Sequence, residues 1–238
     1  MADSDPLLRV EGLRSGYGTV PVINGVDLEL TGKEVLVLFG RNGVGKTTLL
    51  KTLMGLLAAS SGSIALAGED CTRWPTYRRA RAGLAYVPQG RGIFPKHTVR
   101  QNLLIGLRAQ ARADAAIPEE VYEYFPILKE RGEQLGGTLS GGQQQMLAIA
   151  RGLCGRPRIL LLDEPTEGIQ PSIVHELQHI IRRIVDETDM GVMLVEQNFE
   201  FGIALADRCM IMEKGEVTRS GPAAEFSDES VIDDILAM

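Results

Sequence analysis

Short continuous apolar runs, rather than strict alternation, dominate the hydrophobic pattern of this chain. Val35-Leu36-Val37-Leu38-Phe39 and Ile159-Leu160-Leu161-Leu162 read as strands buried on both faces, as in a parallel sheet covered by helices. Leu84-Ala85-Tyr86-Val87-Pro88, Val192-Met193-Leu194-Val195-Glu196 and a strand near 208–213 extend the same pattern. Between the runs a helical period takes over. From Thr47 to Leu57, residues Leu49, Leu50, Leu53, Met54 and Leu57 share one face. Within 172–187, Ile173, Val174, Leu177, Ile180, Ile181 and Ile184 do the same. A third stripe, Met146, Leu147, Ala150, Leu153 and Cys154, follows Ser140 and Gln143, which form an S-x-x-Q capping box. Further helices are expected around Val99–Ala111, Pro118–Phe125 and Asp228–Met238. Cys209-Met210-Ile211-Met212-Glu213, a Lys214-Gly215 turn and Glu216-Val217-Thr218 predict a hairpin.

Two of the buried runs end in residues with evident chemistry. After Phe39 comes Gly40-Arg41-Asn42-Gly43-Val44-Gly45-Lys46-Thr47, which fits the phosphate-binding pattern G-x-x-x-x-G-K-[ST] in its required strand–loop–helix context. Its glycines let the backbone approach phosphate oxygens, and the following helix points free N–H groups and its positive dipole end at the same anion. Residues 40–48, Thr48 included, are therefore candidate contacts for ATP. Lys46 is expected on the β- and γ-phosphates and Thr47 on Mg²⁺. After Leu162 comes Asp163-Glu164-Pro165, with its carboxylates at the C-terminal end of a parallel strand, where open α/β sheets bind ligands. Asp163 is expected to hold Mg²⁺ through a water, and Glu164 to orient and polarise the attacking water.

Leu139-Ser140-Gly141-Gly142-Gln143 supplies a third motif. Taken in order with the other two, it resembles the signature of ATP-binding-cassette (ABC) ATPases, and the resemblance covers nearly the whole chain. It implies further roles. Tyr17, in Gly16-Tyr17-Gly18, matches the aromatic that stacks on adenine. Gln89 matches the glutamine that senses Mg²⁺ and the γ-phosphate, and Ser140, Gly141 and Gly142 match the residues that close over the γ-phosphate of an opposing subunit. Two positions depart from the usual pattern. Gln170 stands where a carboxylate often precedes Pro171, and Gln197 stands where most relatives place a switch histidine. A glutamine can donate to a phosphate oxygen but carries no proton charge at neutral pH.

Composition narrows the alternatives. A net charge of −6 argues against an electrostatic DNA-binding surface, and 5% aromatic residues is low for an RNA or single-stranded-DNA binder that stacks successive nucleobases. The basic cluster Arg73, Arg78, Arg79, Arg81 is the local exception, expected on a short helix as a solvated face. Cys71, Cys154 and Cys209 are widely spaced and read as reduced thiols rather than a disulfide frame. His175-Glu176-Leu177-Gln178-His179 fits the H-E-x-x-H zinc pattern, yet both histidines fall nearly opposite the apolar stripe of their helix. An exposed polar face, without zinc, is the expectation. The first residues lack the features of a signal peptide, and no apolar stretch approaches a membrane span.

The expected fold is thus an α/β P-loop NTPase core of the ABC ATPase type, over residues 1–88 and 157–238, with an antiparallel β subdomain and an inserted α-helical subdomain over 89–156. Tyr77-Arg78-Arg79-Ala80-Arg81, Ile117-Pro118-Glu119-Glu120-Val121-Tyr122, Asp163 through Ile173 and Leu194-Val195-Glu196-Gln197 carry a closer resemblance, to importer ATPases of the branched-chain amino-acid and urea group. They look most like the second ATPase subunit of urea importers. That resemblance implies a second ATPase subunit or a second copy, two transmembrane permease subunits and, indirectly, a periplasmic solute-binding protein. It also implies a peripheral position on the cytoplasmic face of the bacterial inner membrane. A soluble ABC ATPase acting on nucleic acid or ribosomes usually carries two cassettes or a long coiled-coil insert, and neither is seen here.

Overall fold

The computed structural model describes residues 5–108 and 116–226. The chain opens with the antiparallel strands β1 (Leu8–Tyr17) and β2 (Val20–Leu30). The buried run Val35–Phe39 is β3, and α1 spans Lys46–Met54. β4 (Ala59–Leu66) returns to pair with β1, followed by β5 (Glu69–Asp70), α2 (Thr76–Arg81) and β6 (Leu84–Val87). Helices α3 (Val99–Arg108), α4 (Glu119–Tyr124), α5 (Pro126–Glu130) and α6 (Gly141–Cys154) come next. Strand and helix then alternate through β7 (Ile159–Asp163), α7 (Pro171–Glu187), β8 (Gly191–Glu196), α8 (Phe199–Leu205) and β9 (Arg208–Glu213), before the hairpin partner β10 (Glu216–Pro222).

The strands form two sheets, β2-β1-β4-β5 and β10-β9-β3-β8-β7-β6. The second is parallel from β9 to β6, with β10 antiparallel at its edge. Both faces of this sheet are covered, which is why its strands read as unbroken apolar runs. Val35, Val37, Phe39, Leu160, Leu162, Val192 and Leu194 point into a core shared with α3–α8. Their neighbours Leu36, Leu38, Leu161, Met193 and Val195 point the other way, into a core shared with α1 and the antiparallel sheet. α1 therefore lies between the two sheets, and the loop before it is anchored on both sides. No helix among the described residues is long and apolar enough to cross a membrane.

Several elements differ from the sequence expectation. α1 ends at Met54 because Gly55 turns left-handed at φ 76°, so Leu57 falls beyond the helix. The helix expected over Val99–Ala111 runs from Val99 to Arg108 within the described residues, and the one expected over Asp228–Met238 lies outside them. α8 escapes notice in the sequence because Gly202 interrupts its helix-forming residues. A Cβ there would come within 2.5 Å of the Phe39 ring, so close packing outranks propensity.

The basic cluster is corrected in part. It does lie on and before a short helix, but Arg79 is buried rather than solvated. Its guanidinium donates to the Thr52 and Leu53 carbonyls at 2.8 and 2.6 Å, and to those of Thr72 and Trp74 at 2.8 and 3.1 Å. Arg79 thus ties the end of α1 to the segment after β5, serving the Leu53 carbonyl beyond the last helical turn and sharing the Thr52 carbonyl with the Gly55 N–H. Arg79→Ala removes this donor from the Leu53, Thr72 and Trp74 carbonyls and should cost about 3 kcal/mol, a fall in Tm of roughly 6–12 °C for a domain of this size. Arg79→Lys should recover only part of it, since one ammonium cannot span both segments. Thermal denaturation of the three proteins checks this.

Candidate functional site

Lys46, Glu164 and Gln197 follow three adjacent parallel strands, β3, β7 and β8, with β8 in the middle. The loop after β3 is fixed by close approach. A Cβ on Gly40 would sit 2.6 Å from the Met212 carbonyl oxygen, and Gly45 precedes α1 at φ 117°. No side chain caps the first turn of α1. Lys46, 4% exposed, curls back so that Nζ donates to the Gly40 and Arg41 carbonyls at 2.6 and 3.1 Å and lies 3.2 Å from Glu164 Oε1. An ammonium, a hydroxyl and uncapped helix N–H groups form a donor set that fits an anion. The Thr47 hydroxyl beside the Asp163 carboxylate fits a hard cation such as Mg²⁺.

Asp163 ends β7 almost fully buried. Its Oδ1 accepts from the Thr47 hydroxyl at 3.0 Å and its Oδ2 from the Tyr86 hydroxyl at 2.8 Å. Glu164 takes a left-handed backbone, φ 46°, and its N–H donates to the Val195 carbonyl on the neighbouring strand. Glu164 Oε1 accepts from Gln197 Nε2 at 2.9 Å, and Oε2 from Gln89 Nε2 at 3.3 Å. Gln197 Nε2 also donates to Asn42 Oδ1 at 2.7 Å, and Gln89 Nε2 to Glu167 Oε2 at 3.0 Å. Lys46, Thr47, Gln89, Asp163, Glu164 and Gln197 are therefore brought together as the sequence suggests. Tyr86 was missed, because a tyrosine inside a strand gives no sign that its hydroxyl meets Asp163. Burial, then the Asp163 charge, hold that phenol far above its ordinary pKa, so it stays a donor.

Ser140 closes the expected capping box, accepting from the Gln143 N–H while the Gln143 side chain accepts from the Ser140 N–H. None of the hydrogen bonds linking Lys46, Gln89, Asp163, Glu164 and Gln197 reaches Ser140, Gly141 or Gly142. Gly141 lies against Arg91 and Gly168, and a Cβ on Gly142 would come 2.6 Å from Ile173. The signature residues thus adjoin the start of α7, where Gln170 stands at the N-cap without a side-chain cap bond. Tyr17 is half exposed at the end of β1. His175 and His179 are both exposed, on the outer face of α7.

A protein-family model described as "ABC transporter" matches residues 23–167, from β2 through the loop after Glu164. The chain belongs to the ABC transporter family. This ABC ATPase is 41% identical to the high-affinity branched-chain amino acid transport ATP-binding protein BraG of Pseudomonas aeruginosa, over 89% of this chain and 91% of that one. It is 33% identical to the probable branched-chain amino acid transport ATP-binding protein LivF of Archaeoglobus fulgidus, over 92% and 94%. Its fold superimposes on the ADP conformation of an ATP-binding cassette of an ABC transporter with a TM-score of 0.83, at 23% identity over 99% and 100% of the two chains.

In this ATPase the Asp163 pKa is raised, chiefly by burial and secondarily by the Glu164 charge, while hydrogen bonds from Tyr86 and Thr47 pull it down. The ionised form at neutral pH is therefore a cost to folding. The stability Asp163 contributes is complete below the ordinary aspartate pKa and is lost as pH rises through the raised value. Asp163→Asn should gain stability relative to wild type as pH rises from 4 to 7, while Mg²⁺-dependent ATP turnover falls. Thermal melts of both proteins across that range check it, and a stability difference that does not change with pH contradicts it.

Proposed function

We propose that this chain binds ATP with Mg²⁺ and hydrolyses ATP to drive solute import through two partner permease subunits. The observation that carries the reading is the Glu164 carboxylate, gripped by Lys46 at 3.2 Å and Gln197 at 2.9 Å beside the Asp163–Thr47 pair. Gly40, Arg41, Asn42, Gly43, Val44, Gly45, Thr47 and Thr48 wrap the phosphates, Lys46 takes the β- and γ-phosphate charge, and Tyr17 offers its ring to adenine. Thr47, Asp163 and Gln89 hold Mg²⁺, which supplies charge neutralisation on the phosphates. Glu164 accepts a proton from the attacking water, and Gln197 offers its amide to the γ-phosphate.

Ser140, Gly141 and Gly142 serve the site of an opposing subunit, either a second ATPase chain or a second copy of this one. The helical lobe over 89–156 meets the permeases, which sit in the bacterial inner membrane with this chain on its cytoplasmic face and a periplasmic solute-binding protein beyond. Two cargo readings have specific support. The identities to BraG and LivF favour branched-chain amino acids. The segments Tyr77–Arg81, Ile117–Tyr122 and Leu194–Gln197 favour urea by resemblance.

Glu164→Gln should retain ATP binding but lose roughly 10²-fold or more in turnover in the assembled complex, the scale of general-base removal. Near wild-type turnover would remove Glu164 from the mechanism. The same substitution in cells, with uptake of labelled leucine and labelled urea followed in parallel, identifies the cargo as the solute whose uptake stops.

A further inference from the structure

Glu196 is a buried carboxylate to which neither the motifs nor the proposed chemistry gives a task. It ends β8, the strand between β3 and β7, and is 2% exposed. Each of its oxygens serves a different loop. Oε1 accepts from the N–H and hydroxyl of Thr166 at 3.1 and 2.7 Å, two residues beyond Glu164. Oε2 accepts from the N–H groups of Gln197 and Asn198 at 3.0 and 3.1 Å. Asn198 in turn caps α8 by accepting from the Phe201 N–H. Burial pushes the Glu196 pKa up, and the donors from Thr166, Asn198 and Gln197 pull it down. Three of the four donors are backbone N–H groups, which an ionised carboxylate can satisfy and a donor group cannot.

The arrangement has a consequence for Gln197. Its side chain bridges Asn42 and Glu164, and both contacts depend on where its own backbone is held. Glu164, for its part, sits in a left-handed conformation that a β-carbon disfavours, so it needs surroundings that over-determine it. We propose that Glu196 is a positioning residue for ATP hydrolysis, a latch that clamps the loop after Glu164 to the backbone of Gln197 and so aims the Gln197 amide at the reacting centre. The inference rests on the proposed ATPase reading of this site. It differs from a stabilising role in that its effect passes through one identifiable side chain.

The isosteric substitution Glu196→Gln is the sharpest probe. Whichever way the amide turns, its NH₂ group confronts at least one backbone N–H, that of Thr166 or those of Gln197 and Asn198. ATP turnover is measured in the complex purified through a tagged copy of this chain, for Glu196→Gln, Gln197→Ala and the double variant. Glu196→Gln should lower kcat about tenfold or more with KM for ATP within about twofold. In the Gln197→Ala background it should lower kcat less than about threefold, because the side chain it aims is gone. Full turnover in Glu196→Gln, or the same fold-loss in both backgrounds, overturns the latch. Thr166→Val, which removes the hydroxyl donor alone, is the milder variant should Glu196→Gln fold poorly. A smaller loss of kcat at constant KM supports positioning, and an unchanged kcat or a parallel rise in KM refutes it. Glu164→Gln in the same preparation separates the two readings. Full turnover there contradicts the role given to Glu164, whereas the Glu196–Gln197 coupling reads the latch whichever group Gln197 steers.

Discussion

A buried ammonium facing a buried carboxylate is the constraint around which this site is organised. Lys46 and Glu164 are 4% and 8% exposed and 3.2 Å apart. Taking such a pair out of water costs several kcal/mol per ion, which their attraction repays only when the remaining donors and acceptors are also satisfied. Here they are. Two loop carbonyls accept from Lys46, and the amides of Gln197 and Gln89 donate to Glu164. The strand order β3-β8-β7 brings these groups together, because each belongs to a loop or helix start beyond the carboxyl end of a parallel strand. The unbroken apolar runs of the sequence serve this geometry. Helices and a second sheet cover both faces, which leaves the strand ends as the place where polar side chains converge.

The residues around the pair are held from several sides. Lys46 donates to two carbonyls and faces one carboxylate. Tyr86 holds one oxygen of Asp163 and Thr47 the other, so that carboxylate is oriented by the fold itself. Gln197 joins the phosphate loop to Glu164 through Asn42. Being a neutral amide, it does so without the ionisation near pH 6.5 that a histidine would bring.

Much of this was legible in the sequence, for identifiable reasons. The glycine spacing ending in Lys46-Thr47, the buried run ending in Asp163-Glu164 and the Ser140–Gln143 capping box each tie residue type to backbone geometry over a few positions, and the structure reproduces all three. What stayed hidden depends on long-range contact. Arg79 looks like its neighbours Arg78 and Arg81 until α1 is placed beside it. Tyr86 reads as a strand residue until β7 lies next to β6. Glu196 reads as the end of an apolar strand, because nothing local shows that Thr166 will lie 2.7 Å away. Gly202 argues against α8 on propensity, and the Phe39 ring and Val37 side chain packed against it account for it.

The central claim is that Lys46 serves a phosphate and that Glu164 is its resident partner until then. Equilibrium titration of ATP into the purified chain, wild type against Glu164→Gln, tests this most directly because it needs neither turnover nor partner subunits. Neutralising Glu164 removes the group that competes for the Lys46 ammonium, so the account predicts tighter ATP binding by the variant, on the order of tenfold for about 1.4 kcal/mol of lost competition. Unchanged or weaker binding would contradict it.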